Sequence, residues 1–193
     1  MISLQSFIKA LVHANRARGI TFESNGHSDR VSLLTVEIGT RLDGVYKVPD
    51  EKLELLRLAG YAHDIGKIGV DVQILEKPGP LSFSQMKAVQ AHSEIGYSLL
   101  FPSGIPPEIY LTTLYHHECW DGSGYPTGIK ADNIPLFARI VFLVDVWDAL
   151  NSDRPYRKAY TFDVAMKIMN EMTPKFDPLI YAAFLQMIEE RKT

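Results

Sequence analysis

Histidines and carboxylates lie close together at several points of this 193-residue chain. His63 is followed directly by Asp64, and His116 and His117 are neighbours. Asp145 stands inside an apolar stretch, where a carboxylate is costly unless it is paired or bound to a metal ion. Imidazole and carboxylate ligands suit first-row metals such as iron, manganese and zinc. These residue types therefore predict a metal site.

The number of candidate ligands exceeds what one ion needs. Five of the six histidines lie beside acidic residues or in polar motifs, namely His27, His63, His92, His116 and His117. A structural zinc site takes four ligands, so this set predicts two ions, or three. Consecutive helix residues point about 100° apart, so His63 and Asp64 cannot readily chelate one ion in the same way, but they can serve two ions, with one carboxylate bridging. A two-metal site activates water and clamps the oxygens of a phosphoryl centre, which predicts hydrolysis of phosphate esters.

Each of these motifs, taken alone, also fits a purely structural role. Asp145 is consistent with a buried carboxylate paired to an arginine, and a single His-Asp pair is weak evidence. His92 is expected in the middle of a helix, where a hydrogen-bonded core histidine is the simpler interpretation. The adjacent His116 and His117 are harder to explain as core residues, because Glu118 and the glycine-rich sequence DGSGYP follow them. The metal prediction therefore depends on the whole set.

Composition places the chain among ordinary globular proteins. Apolar residues make up 46%, and no apolar run approaches the roughly 18 residues that cross a bilayer. The net charge of -3 disfavours a nucleic-acid polymer as a partner. Cys119 is the single cysteine, which excludes an intramolecular disulfide and fits a reducing cytoplasm. The N-terminal residues lack the order of a secretion signal. We therefore expect a cytoplasmic protein without membrane insertion.

Apolar residues recur at helical spacing along most of the chain, which predicts an all-α fold. Predicted helices cover 3–16, 28–42 and 136–150, and two more begin at Thr161 and Asp177. Asp50 is predicted to N-cap a helix that runs through the HDI sequence, and Ser82 to cap one that runs to about Leu100. Pro106 and Pro107 open another, which ends near Tyr115. Lys67 follows His63 by four residues and would share its helix face if that helix continued. The longest irregular segment, 120–135, is of a kind that is often functional. We predict one domain over 1–193, with 1–19 as an N-terminal helical extension.

Several longer motifs resemble those of the HD-GYP family, a branch of the HD-domain metal-dependent phosphohydrolases. The matching segments include GHSDRV (26–31), YAHDIGKIGV (61–70), HHECWDGSGYP (116–126) and SDRPYRKAY (152–160). The resemblance implies an HD-domain helical bundle with a long GYP loop. It also implies hydrolysis of cyclic di-GMP to linear pGpG, and in some members on to GMP. Members usually carry an N-terminal sensory or receiver domain, so we expect an excised catalytic domain or a stand-alone form.

The resemblance assigns roles residue by residue. The expected metal ligands are the quartet His27, His63, Asp64 and Asp145, and the additional histidines His92, His116 and His117. Asp64 is also expected to bridge two ions, and Lys67 to contact phosphate and assist the leaving group. Gly124 and Tyr125 of the GYP loop are expected near the substrate, with Arg154 and Arg157 near guanine or phosphate. Glu23, four residues before His27, matches members that bind three metals.

Several alternatives stay open at this point. The resemblance favours iron or manganese, in two or three ions depending on Glu23. It implies that the GYP loop contacts a diguanylate cyclase with a GGDEF domain as a partner. The motifs fit cyclic di-GMP, but they also fit another cyclic dinucleotide such as 3′,3′-cGAMP, because metal ions bind the phosphate groups and not the bases. A non-catalytic cyclic di-GMP sensor or docking module is a third interpretation, which the complete ligand set disfavours. The oligomeric state is open.

Overall fold

The computed structural model describes residues 3–18, 26–153 and 157–191, which are helical and contain no β-strand. The α-helices are α1 Leu4–Ala17, α2 His27–Gly39, α3 Asp50–Ala62, α4 Val72–Leu75, α5 Phe83–Gln90, α6 His92–Leu100, α7 Pro107–Tyr115, α8 Leu136–Asn151, α9 Phe162–Glu171 and α10 Pro178–Glu190. Short 3-10 helices lie at Gly44–Tyr46, Ile65–Gly69, Phe101–Ser103, Ala131–Asn133 and Thr173–Lys175. The predicted all-α fold is confirmed.

Helix α8 forms the centre of the bundle. Its sequence LFARIVFLVDVWDALN is apolar on nearly every face, which is typical of a helix surrounded by others. Helices α2, α3, α7, α9 and α10 all pack against it. Asp145 lies in the middle of this helix, and its side chain is only 17% exposed. None of the described helices is both long and apolar enough to cross a membrane.

Glycines allow the helices that carry the histidines to approach closely. A Cβ atom on Gly60 would lie 2.7 Å from Oγ1 of Thr35, so α2 and α3 cross in close contact. A Cβ atom on Gly66 would lie 1.8 Å from the backbone oxygen of His92, and one on Gly96 would lie 2.4 Å from Cγ2 of Thr113. Real Cβ atoms do not approach other atoms so closely, so these crossings require glycine. They draw α2, α3, α6 and α7 to one point.

Helix α1 confirms the helix predicted for residues 3–16. The side chains of Ile8 and Val12 are 0% and 2% exposed and belong to the same core cluster as those of α3 and α8. Ser3 caps the helix by accepting a hydrogen bond from the backbone of Ser6. The segment predicted as an extension therefore contributes to the core, and its far end packs against the 3-10 helix Ile65–Gly69.

Three predicted helix boundaries differ from the structure. Ser82 does cap a helix through a full capping box, but that helix ends at Gln90 and a second one begins at His92. Helix α3 ends at Ala62 instead of continuing through Lys67, so His63 and Lys67 do not share a helix face. Asp50 is the first helical residue rather than the N-cap. Each of the first two breaks places a histidine at a helix terminus.

Candidate metal centre

The predicted ligands converge because most of them lie at helix ends. His27 and His92 are the first residues of α2 and α6, whereas the others at helix ends follow α3 and α7: His63, Asp64, His116 and His117. Asp145 reaches the same point from the middle of α8, with Oδ1 3.3 Å from Nε2 of His27. Side chains from four helix ends and from the middle of α8 thus meet, and five of them, His27, His63, Asp64, His92 and His116, are buried.

Asp64 lies at the centre of this group and is 4% exposed. Its Oδ2 is 3.3 Å from Nε2 of His63 and 3.6 Å from Nε2 of His27. Its Oδ1 is 3.3 Å from Nε2 of His92 and 3.8 Å from Nε2 of His116. One carboxylate therefore presents one oxygen to each of two histidine pairs, which is the arrangement that a bridging ligand requires.

The side chains form two sets that are each close enough to hold one ion. The first contains His27, His63 and Asp64, and the second contains Asp64, His92, His116 and His117. In each set, one ligand atom per residue lies within 4.8 Å of all the others. Asp64 belongs to both sets. Asp145 adjoins the first, since its Oδ1 is 3.9 Å from Nε2 of His63 as well as close to His27.

Hydrogen bonds to backbone carbonyls fix the orientation of three imidazoles. Nδ1 donates to the carbonyl of Gly60 in His63 (2.7 Å), of Val89 in His92 (2.7 Å) and of Thr113 in His116 (2.9 Å). A carbonyl oxygen only accepts, so Nδ1 carries the proton in each ring and Nε2 faces the centre. This pattern is typical of metal-ligating histidines.

The pair His92 and His116 shows that the donor set fits divalent ions. Their Nε2 atoms are 3.2 Å apart, and both rings carry the proton on Nδ1. Two nitrogen lone pairs that face each other repel unless a cation lies between them. Ligand atoms bound about 2.1 Å from one ion are roughly 3.0–3.4 Å apart, which matches this separation. Neutral imidazole and carboxylate together favour a first-row metal.

The electrostatics differ between the two halves of the site. Burial lowers the pKa of His27 and His63, but the carboxylates of Asp64 and Asp145 outweigh burial and raise both pKa values overall. Burial lowers the pKa of His92 to about 3, and it lowers the pKa values of His116 and His117 as well. The half with three histidines is therefore held in the neutral form that binds metal.

The two central carboxylates stay ionised despite their burial. Burial raises the pKa of Asp64, but Lys67 and His63 outweigh it and hold the pKa well below its usual range. Burial likewise raises the pKa of Asp145, and hydrogen bonding and charge from His27 bring it well below its usual range. Ionised carboxylates and neutral imidazoles are the protonation states that divalent metals require.

Lys67 lies beside the bridging carboxylate. Its ammonium group donates a hydrogen bond to Oδ2 of Asp64, and its side chain is 12% exposed. The 3-10 helix Ile65–Gly69 produces this contact, because its tighter turn brings the third residue after Asp64 back toward it. The predicted role of Lys67 at a substrate phosphate stays a prediction. The structure places the required positive charge next to the candidate metal ligands.

The GYP loop packs directly onto the site. The ring of Tyr125 stacks on that of His117 with centroids 4.7 Å apart, and its backbone N–H donates to the carbonyl of His117. A Cβ atom on Gly124 would lie 2.4 Å from the backbone nitrogen of Cys119 and from the oxygen of His117, so the loop folds back tightly there. Burial raises the pKa of the Tyr125 hydroxyl well above its usual value. Tyr125 therefore remains protonated, as a hydrogen-bond donor.

Glu118 follows His117 in sequence but does not join the ligands. Its buried carboxylate accepts hydrogen bonds from the backbone of Thr127 (2.7 Å) and Gly128 (3.0 Å) and from the Thr127 hydroxyl (2.8 Å). These bonds close the loop that contains Gly124 and Tyr125. Glu118 therefore stabilises the loop and is not among the candidate metal ligands.

Asp148 is a functional residue that the sequence interpretation missed. Its Oδ2 accepts a hydrogen bond from Nδ1 of His27 at 2.7 Å, and Nε of Arg30 donates to its Oδ1 at 2.6 Å. Asp148 is 4% exposed. It therefore orients His27 as the backbone carbonyls orient the other histidines. Its position three residues after Asp145, on the same face of α8, is the signal that identifies it.

Weakening this support should loosen metal binding. Asp148→Asn removes the charge between His27 and Arg30, and we expect the affinity of the site for Mn²⁺ to fall about 10- to 100-fold. Titration of the metal-free protein with Mn²⁺ measures this affinity. Asp153→Asn is the matched control, because Asp153 pairs with the exposed Lys158. Equal Mn²⁺ affinity in Asp148→Asn and the unmodified protein would contradict the orienting role.

The remaining predicted residues lie apart from the centre or outside the described residues. Arg157 donates hydrogen bonds to the carbonyls of Ala149 (2.6 Å) and Lys158 (2.9 Å), and its guanidinium lies 4.2 Å from the ring centroid of Tyr160. These contacts hold Arg157 against the end of α8 and its own segment. Glu23 and Arg154 both fall outside the described residues. Their predicted roles remain predictions.

A family model described as HD domain matches residues 21–180, which is most of the chain. The chain belongs to the HD domain family. The resemblance read from the motifs is therefore confirmed at the level of this family. The matched range contains the residues of both ligand sets, the GYP loop and α8.

Two curated relatives and one solved structure are similar to this HD domain. It is 40% identical to 3′3′-cGAMP-specific phosphodiesterase 3 of Vibrio cholerae, over 82% of this chain and 34% of that protein. It is 37% identical to cyclic di-GMP phosphodiesterase response regulator RpfG of Xanthomonas campestris, over 88% of this chain and 46% of that protein. A crystal structure of a cyclic GMP-AMP specific phosphodiesterase of V. cholerae is 32% identical with a TM-score of 0.58, covering 96% of this chain and 41% of that chain. This HD domain thus spans less than half the length of these relatives.

Proposed function

We propose that this chain is a metal-dependent phosphodiesterase that hydrolyses cyclic di-GMP to linear pGpG. The observation that carries the proposal is the pair of ligand sets that share Asp64, one oxygen of which faces each set. A two-metal centre of imidazole and carboxylate is suited to phosphoryl transfer to water. The relative named a cyclic di-GMP phosphodiesterase supports this choice of substrate.

The residues of the chain have separate tasks in this proposal. When bound, the metal ions would supply an activated water and positive charge for the phosphoryl oxygens. His27, His63, His92, His116, His117, Asp64 and Asp145 would hold them. Lys67, beside Asp64, adds a cation that stabilises negative charge developing on the phosphate. Tyr125 on the GYP loop presents a protonated hydroxyl toward the nucleotide, and Arg154 and Arg157 would bind guanine or phosphate.

Hydrolysis by the purified protein tests the proposal. We expect protein loaded anaerobically with Fe²⁺ or Mn²⁺ to convert cyclic di-GMP to pGpG, and we expect metal-free protein to be inactive. Chromatography detects the conversion. Metal analysis of the same preparation counts the ions. Metal-loaded protein that binds cyclic di-GMP without forming any product would support the sensor interpretation and overturn the proposal.

Hydrolysis of 3′,3′-cGAMP is the second candidate function. The relative that is 40% identical is named as specific for 3′3′-cGAMP. The two ligand sets would act on the phosphates of either cyclic dinucleotide. Comparing kcat/KM for the two substrates decides between them. A ratio in favour of 3′,3′-cGAMP would replace the substrate assignment and leave the metal chemistry unchanged.

Further parts of the proposal concern the ions, the partner and the compartment. We propose iron or manganese as the metal, and a third ion with Glu23 as a ligand. A diguanylate cyclase with a GGDEF domain would bind at the GYP loop, whose Ser123 and Thr127 are exposed beside Tyr125. The chain would act in the cytoplasm, where cyclic dinucleotides are made from nucleoside triphosphates.

A further inference from the structure

Helix α1 contacts the backbone of the turn that carries Asp64 and Lys67. Asn15, near the end of α1, and Arg18, its C-cap residue, lie three residues apart, so their side chains project to the same side. Both reach backbone carbonyls in or beside the 3-10 helix Ile65–Gly69. No ligand histidine comes from α1, so its effect on the site passes through this turn.

Asn15 holds the first half of the turn. Its side chain is 2% exposed, and Nδ2 donates to the carbonyls of Ile65 (3.0 Å) and Asp64 (3.3 Å). Both partners can only accept, which fixes the orientation of the amide. Its Oδ1 is buried and makes no hydrogen bond within the described residues. An amide with one unsatisfied end is unfavourable in a core, so an apolar residue would serve stability better.

Arg18 holds the second half of the turn. One terminal nitrogen donates to the carbonyl of Lys67 at 2.6 Å, and the other donates to that of Val70 at 2.7 Å. Hydrogen bonds from a guanidinium are charge-assisted and directional, and the planar fork bonds both carbonyls at once. Four carbonyls in the segment 64–70 thus accept hydrogen bonds from two side chains, Asn15 of α1 and its C-cap residue Arg18.

We propose that Asn15 and Arg18 are positioning residues that set the orientation of Asp64 and Lys67. At the two ends of the turn, Lys67 N–H donates to the Asp64 carbonyl and Val70 N–H to the Lys67 carbonyl, both at 3.0 Å. Gly66 packs it against α6 on one side, and α1 holds it on the other. Displacement of α1 would therefore move the bridging carboxylate and the lysine together. The effect on turnover rests on the proposed function, whereas the effect on the turn does not.

Hydrogen exchange of the peptide spanning 64–70 tests the structural part. We expect Arg18→Ala to accelerate exchange there about tenfold, since the turn loses two of its anchors. Arg18→Lys keeps the charge but not the fork, so we expect an intermediate rate. Arg16→Ala is the matched control: Arg16 lies on the same helix but bonds Asp29 at 2.6 Å. Unchanged exchange at 64–70 in Arg18→Ala overturns the proposal whether or not the protein hydrolyses any nucleotide.

Kinetics test the link to the reaction. We expect kcat for cyclic di-GMP to fall about tenfold in Arg18→Ala with KM within about twofold, because the nucleotide contacts stay and the reacting groups shift. Arg18→Lys should recover part of the loss, and Arg16→Ala should keep the unmodified kcat. Equal losses of kcat in Arg16→Ala and Arg18→Ala would show a general docking role for α1 and overturn positioning. An unmodified protein without hydrolysis would defeat the proposed function alone.

Discussion

Replacing Asp64 by alanine should abolish hydrolysis of cyclic dinucleotides and leave the helical fold intact. Asp64 is the one residue shared by both ligand sets, and its two oxygens face different histidine pairs. Its removal therefore disrupts both halves of the centre and takes away the partner of Lys67. We expect kcat/KM to fall about 10³-fold or more.

Metal content and circular dichroism together separate the loss of metal from unfolding. Metal content after gel filtration should fall in Asp64→Ala, while the circular dichroism spectrum should stay that of the unmodified protein. Asp43→Ala is the control, because Asp43 is exposed and its side chain caps no helix. Near-normal hydrolysis by metal-supplied Asp64→Ala would show that the two sets do not act as one centre.

The sequence identified the side chains that converge, but not the residues that support them. The seven described ligand candidates are chemically conspicuous in the sequence, and the structure brings them together. Asp148 was missed because a carboxylate that orients a histidine looks like any other acidic residue near a helix end. The role of Glu118 was also beyond the sequence, since its carboxylate accepts hydrogen bonds from Thr127 and Gly128, nine and ten residues further along the chain.

The helices were predictable from caps and spacing, but the break between α5 and α6 was not. Ala91 joins them with φ -61° and ψ -14°, values within the helical range, and alanine is the strongest helix former. No glycine or proline marks the junction. The break has a physical cause in tertiary packing: Gly66 lies against the backbone of His92, where α6 begins.

The contacts of α1 with the turn were also beyond the sequence. Asn15 and Arg18 bond backbone carbonyls, which every residue possesses, so no pattern of side-chain types identifies their partners. The amphipathic spacing of α1 predicted only that one face would be buried. Long-range contacts of this kind depend on how the helices cross. The crossings depend in turn on glycines, and the sequence does not show which residues pack against each glycine.

Gly66→Ala should damage both stability and turnover, because the added Cβ would meet backbone rather than side-chain atoms. It would lie 1.8 Å from the carbonyl oxygen of His92 and 2.5 Å from the amide nitrogen of Gly96. Neither atom can rotate away, so α6 must shift and carry His92 from Asp64. We expect the free energy of unfolding to fall by about 3 kcal/mol, and kcat/KM to fall about 100-fold.

Gly69→Ala, in the same 3-10 helix, distinguishes this backbone effect from a general loss of glycine. A Cβ atom at Gly69 would lie 3.0 Å from Cδ1 and Cγ2 of Ile95, and a side chain can move by the few tenths of an ångström required. We expect Gly69→Ala to lower the free energy of unfolding by less than about 1 kcal/mol, with hydrolysis preserved. Urea denaturation and kcat/KM measure the two effects. If Gly66→Ala matched Gly69→Ala in both, the approach of the turn to α6 would not be what positions His92 against Asp64.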